Sequence, residues 1–204
     1  MSRSGGVSLG VAAARRLVEL GCCEIAPGLT DAEFARIEGE HGFEFADDHR
    51  AFLAAGLPMN RPFEPEPGVI HAWEKPWPEW RGGDPEELRK QLNWPVESIL
   101  WSVETNGHWV GAWGARPDTP EAAVAVARRL LADVPRMIPI YAHRYLPAGR
   151  GTFGHPVLSI WGTDIIYYGT DLADYVNYEF EEPRPEHPED WSPHATVSFW
   201  RDYL

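Results

Sequence analysis

The side chains that could do chemistry in this chain are few and scattered. His143, His155 and Asp164 fall in segments that sheet pairing can bring side by side, and two imidazoles with a carboxylate are a workable ligand set for a divalent metal. None of the three stands at the short helical spacing that preorganises ligands, so hydrogen-bonded surface roles are the simpler reading. Asp171, Asp174 and Glu179 offer carboxylates for acid–base work. Asp171 and Asp174, however, are three apart in the first turn of a predicted helix, where the helix dipole favours negative charge on its own account. Cys22 and Cys23 are adjacent, and a thiolate nucleophile needs a lowered pKa that the following Glu24 works against. Two cysteines do not build a four-ligand zinc site. No glycine loop has the strand-before, helix-after setting of a phosphate cradle, and His-Glu-x-x-His and Gly-x-Ser-x-Gly are both missing. The expectation is a chain with no catalytic residue, no metal and no cofactor.

What remains is charge. The chain of 204 residues carries a net charge of −13, divided as −4, −4 and −5 over residues 1–60, 61–120 and 121–204. No third is basic, which argues against a nucleic-acid binder, because phosphate binding needs a dense Lys/Arg surface. The densest acidic stretch, 171–190, holds eight Asp/Glu against Arg184 alone. Within it Asp171, Asp174, Glu181 and Glu182 are the candidate contacts for a basic protein partner. Free adjacent cysteines and the lack of a leader-like segment fit a cytoplasmic protein. No stretch reaches the roughly 20 apolar residues of a membrane span.

The elements that must position these residues come mixed. A frayed tail, Met1–Ser8, precedes a helix with Val11, Leu17, Val18 and Leu20, stopped by Gly21. Thr30 and Glu33 form a capping box, with Leu29 and Phe34 as its staple, for a helix ending near Gly42. Asp47 is expected to cap a helix over Asp48–Ala55. Residues 58–85 read as an ordered Pro/Trp wrap with a short strand near Val69–Trp73, and Trp73, Trp77 and Trp80 as core rather than a ligand groove. Asp84 starts a helix that ends before Pro95. Ile99–Glu104 and His108–Trp113 then read as a hairpin about Asn106-Gly107. Thr119-Pro120 opens a helix burying Val124, Ala127, Leu130 and Leu131. Met137–Tyr141 is a strand. Pro156–Trp161 and Asp164–Tyr168 form a hairpin about Gly162-Thr163, in which Tyr167 and Tyr168 face opposite sides, one buried and one exposed. A helix over Asp171–Phe180 and an amphipathic closure, Val197–Leu204, complete the chain. Hairpins with interspersed helices predict an α+β fold, a single domain with a mainly antiparallel sheet and helices packed on it.

The run Leu29-Thr30-Asp31-Ala32-Glu33-Phe34, then Ile37-Glu38, Gly42-Phe43 and Asp47-Asp48-His49-Arg50-Ala51-Phe52-Leu53 resembles the N-terminal signature of the SUKH superfamily. That group includes the yeast Smi/Knr-type cell-wall regulators and many bacterial immunity proteins. Phe45-Ala46 stands where the family has Leu-Pro, and Ala55-Gly56 where it has Asn-Gly. Ile138–Pro147 and His155–Leu172 are similar to its bacterial branch. The resemblance implies a tail and helix over 1–28 and a SUKH-like domain over 29–204. It further implies a non-catalytic protein that blocks a cognate toxin, such as a nuclease, by occluding it. The alternatives are a regulatory module with an endogenous protein partner and, least favoured, a metal-dependent hydrolase built on His143, His155 and Asp164.

Overall fold

A computed structural model describes residues 3–62, 73–183 and 197–204. Helix α1 spans Arg3–Leu20, followed by strand β1 at Glu24–Ala26, α2 at Asp31–His41, α3 at Asp47–Ala55 and β2 at Leu57–Met59. Then come α4 at Pro85–Thr105, α5 at Pro120–Leu130 and four strands, β3 at Met137–Tyr141, β4 at Arg144–Pro147, β5 at Val157–Trp161 and β6 at Asp164–Gly169, before α6 at Leu172–Phe180. Strands β1 and β2 pair as an antiparallel ribbon, and β3-β4-β5-β6 form an antiparallel meander. The fold is α+β, as the hairpin pattern implies.

The meander is covered on both faces. Ile138, Ile140, Leu146 and Val157 point into a core shared with Leu17, Phe34, Phe52, Trp80 and Tyr175. Their neighbours Met137, Tyr145, Leu158, Ile160 and Ile165 point into a second core with Ile99, Val103, Ala127 and Trp200. A sheet buried on both sides loses the simple apolar/polar alternation, and β3 and β4 accordingly read as near-continuous buried runs. Trp77 and Trp80 lie in the first core, as expected of them.

The local start signals hold. Thr30 accepts from the Glu33 backbone N–H while the Glu33 carboxylate accepts from the Thr30 N–H, and Gly42 closes α2 in the left-handed region at φ 66°. Arg81 ties the Glu33 carboxylate to the carbonyls of Pro27 and Gly28, and it holds that carboxyl at about 2. Asp84, Thr119 and Asp171 cap α4, α5 and α6.

Several expectations are corrected. Helix α1 begins at Arg3, inside the segment read as a frayed tail. Gly5 and Gly6 let Phe153 close directly onto its backbone, a tertiary contact that composition does not reveal. Asp47 does not cap α3. Ala46 occupies the cap without a side-chain bond, and the Asp47 carboxylate instead accepts from Gly151 N–H at 2.9 Å. Helix α4 runs straight through Pro95, and no hairpin forms at Asn106-Gly107. Gly107, at φ 69°, ends the helix, and His108 N–H reaches back to the Ser102 carbonyl at 3.1 Å. The same Asn-Gly pair thus serves as a helix stop, with its glycine in the left-handed region. Leu88, Leu92, Ile99 and Val103 fall on one helical face, which outweighs the short alternation over 99–104. On α5 the buried stripe is Ala123, Ala127 and Leu131, and Leu130 is exposed. Tyr167 and Tyr168 are both half-buried, Tyr168 against the first core and Tyr167 against the second, rather than one buried and one exposed. Strand β4 pairs with β3 across a turn in which Ala142 adopts φ 48°. The strand expected near Val69–Trp73 lies, but for Trp73, outside the described residues.

Candidate functional site

The four acidic candidates sit at the two ends of α6. At its N-terminus they are engaged in capping. The Asp171 carboxylate accepts from Ala173 and Asp174 N–H groups, each at 2.9 Å, and the Asp174 carboxylate accepts from Thr170 N–H at 2.7 Å and its hydroxyl at 3.0 Å. At the C-terminus Glu181 pairs with Arg16 of α1 at 3.0 Å, while Glu182 is exposed. Glu179 is nearly buried and pairs with Arg144 at 3.2 Å. The Arg144 guanidinium also lies 3.6 Å from the Tyr168 ring centroid and donates to the Ser159 hydroxyl at 3.0 Å. This ion pair clamps α6 to the sheet.

The proposed metal triad does not assemble. His143 packs edge-on to Trp161 with centroids 5.4 Å apart, His155 precedes β5, and Asp164 is exposed where β6 begins. Among the described residues no group of three His, Cys, Asp or Glu side chains is arranged to hold an ion. Burial, aided by Arg144, pushes His143 down to about 4. Both cysteines are free, and burial raises both thiols, Cys23 to about 12, so each is a poor nucleophile at neutral pH.

An open surface groove lies elsewhere. Helix α4 crosses the β5–β6 turn so closely that a Cβ on Gly162 would stand 2.9 Å from the Ser102 hydroxyl. Between α4, α5 and this turn opens a groove of 640 Å³. Trp94 and Trp101, seven apart on α4, share its floor with Trp161 at the end of β5. Trp94 and Trp161 are in ring contact with centroids 5.0 Å apart, and the Trp94 indole N–H is fixed on the Ile160 carbonyl at 3.0 Å. Trp101 is 57% and Trp161 45% exposed, unusually open for such large apolar surfaces. Glu97, Glu104 and Asp164 form the rim, with Arg128 from α5. Arg128 is already held by both carboxylate oxygens of Glu97, at 2.6 and 3.1 Å. Sequence reasoning missed this groove because it ended α4 at Pro95 and placed Trp101 on a strand. The signal that would find it is the 94/97/101/104 stripe, which falls on one helical face.

No family model, curated protein or solved structure matches this chain. Among the described residues no helix is long and apolar enough to cross a membrane.

Proposed function

We propose that this chain is a non-catalytic protein-binding domain that occludes a basic partner, in the manner of the bacterial immunity branch of the SUKH superfamily. The observation that carries the reading is the net charge of −13, spread evenly along the chain. Such a surface repels phosphate backbones and accelerates encounter with a cationic protein through long-range attraction. The segment resemblance from Leu29 to Phe180 supports the same reading. A nuclease toxin, whose substrate groove is basic, is the fitting target class, and cytoplasmic neutralisation of it the fitting role. An interface of ordinary size would bury roughly 1,600 Å² and rest on a few aromatic or charged anchors.

The test is affinity capture of partners from native lysate at low ionic strength, followed by an activity assay on whatever is retained. A basic polypeptide whose nuclease or other toxic activity falls in proportion to added protein is the expected result. Retention of neutral or acidic polypeptides only, from folded bait, overturns the proposal.

A further inference from the structure

We infer that the groove between α4, α5 and the β5–β6 turn is the seat for arginine or lysine side chains of that partner. The inference rests on the protein-binding reading above and names where and how the contact is made. Three features converge on a cationic occupant. First, the floor is aromatic and open, and ring faces attract guanidinium and ammonium groups, Trp most strongly. Trp101 and Trp161 are large, exposed and of limited rotamer freedom, so ordering them on binding costs little.

Second, the rim is uncompensated. Three carboxylates face the groove against one guanidinium, and Arg128 is spent on Glu97. Glu104 and Asp164 have no ion-pair partner among the described residues. A cation seated in the groove would find these two carboxylates and the two exposed indoles among its lining. An anionic ligand would meet the same carboxylates with no free cation among the described lining residues to receive it.

Third, the site is held in shape before anything binds. The Trp94 indole N–H is anchored on β5, the β5–β6 turn abuts Ser102, and the Glu97–Arg128 bridge spans from α4 to α5. A preformed acceptor loses less entropy on association than one that must be assembled.

The experiment uses the full chain and an octapeptide of alternating Gly and Arg, with its Gly/Glu counterpart as control. Binding is measured by calorimetry and by the indole N–H resonances, with Trp101 and Trp161 assigned from W101F and W161F. The Gly/Arg peptide is expected to bind at low ionic strength and to shift those two resonances. Both W101A and E104Q/D164N should weaken binding about tenfold, the latter with a shallower salt dependence. E19Q/E24Q, on α1 and β1 beside the other core, should leave affinity within twofold of the parent. All these positions are at the surface, and unchanged melting shows that the variants fold. Undiminished binding in W101A and E104Q/D164N overturns the groove while the acidic-surface reading stands. Failure of the parent protein to bind the Gly/Arg peptide at all overturns both. Equal shifts with cellohexaose would make the floor a carbohydrate platform, and concentration-dependent self-association lost in W101A would make it a contact between copies. Either result overturns the cationic assignment.

Discussion

His49 carries an unusual burden for one residue. Its side chain is buried in α3 against the Phe45 ring, with centroids 5.1 Å apart, and neither ring nitrogen has a hydrogen-bond partner among the described residues. Burial pushes it down to about 3. A histidine held neutral in the native state takes up its proton only on unfolding, so between pH 6.5 and about 3 the unfolded chain binds the extra proton. Stability therefore falls as pH drops through that window, by about 2 kcal/mol at pH 5 from this residue alone. His143, also held low, acts in the same direction over a narrower range. Asp48, whose carboxyl burial raises, acts in the opposite sense at the acid end. Replacing His49 by Leu removes both the proton and the unpartnered nitrogens. Urea titrations of H49L should show stability close to the parent at pH 7 and a visibly flatter decline towards pH 5. A decline as steep as the parent's would mean that other groups govern the acid limb.

Pro95 shows how one element is kept intact by another. Proline inside a helix removes the bond to the carbonyl four residues back, a loss of about 3 kcal/mol or more when nothing replaces it. Here that carbonyl belongs to Gln91, and the Tyr145 hydroxyl of β4 donates to it at 3.0 Å from a fully buried position. Tyr145→Phe should strand the carbonyl and cost about 2 kcal/mol in chemical denaturation. In a Pro95→Ala background, where residue 95 regains its N–H, the same Tyr145→Phe change should cost less than about half of that. Equal costs in the two backgrounds would show the hydroxyl to be incidental. Packing between elements has a similar sharp point. A Cβ on Gly10 of α1 would stand 2.1 Å from the Asp48 carbonyl oxygen of α3, so Gly10→Ala should lower stability by about 3 kcal/mol in the same assay despite its better helix propensity.

These contacts also mark the limit of what can be read from sequence. The caps at Thr30, Asp84, Thr119 and Asp171 were legible because donor and acceptor lie within three residues of each other. The β5–β6 hairpin was legible for the same reason. The continuity of α4 was not, since its hydrogen bond comes from a side chain 54 residues away. The groove inherits that illegibility: Trp101 and Trp161 meet one surface only once α4 is unbroken and the β5–β6 turn is laid against it. The acidic candidates at 171 and 174 were legible as first-turn residues of α6 for the same reason as the caps, and both are engaged there in capping.

At the scale of the whole molecule the sheet is the shared wall of two cores. Adjacent residues such as Met137 and Ile138 point into different cores, so neither layer can be lost without exposing one face of the meander. That arrangement predicts joint unfolding in a chain of 204 residues, a length at which independent units often appear. Phe34→Ala in the first core and Trp200→Ala in the second each delete a fully buried ring and should each cost about 3–5 kcal/mol. Trp200→Ala additionally frees the Pro135 carbonyl, which its indole N–H holds at 2.6 Å. Both variants should lower one and the same transition, seen together by far-ultraviolet dichroism and by tryptophan fluorescence. Calorimetric and van't Hoff enthalpies should agree in the parent and in both variants. If Trp200→Ala instead splits the melt, leaving the α1–α3–α6 side folded after the α4–α5 side has gone, the layers are separable. The groove would then sit on a unit that opens on its own, and a partner bound there would stabilise only that unit. Cooperative unfolding makes the opposite statement: occupancy of the groove by a basic segment stabilises the far layer equally, because both stand on the same four strands.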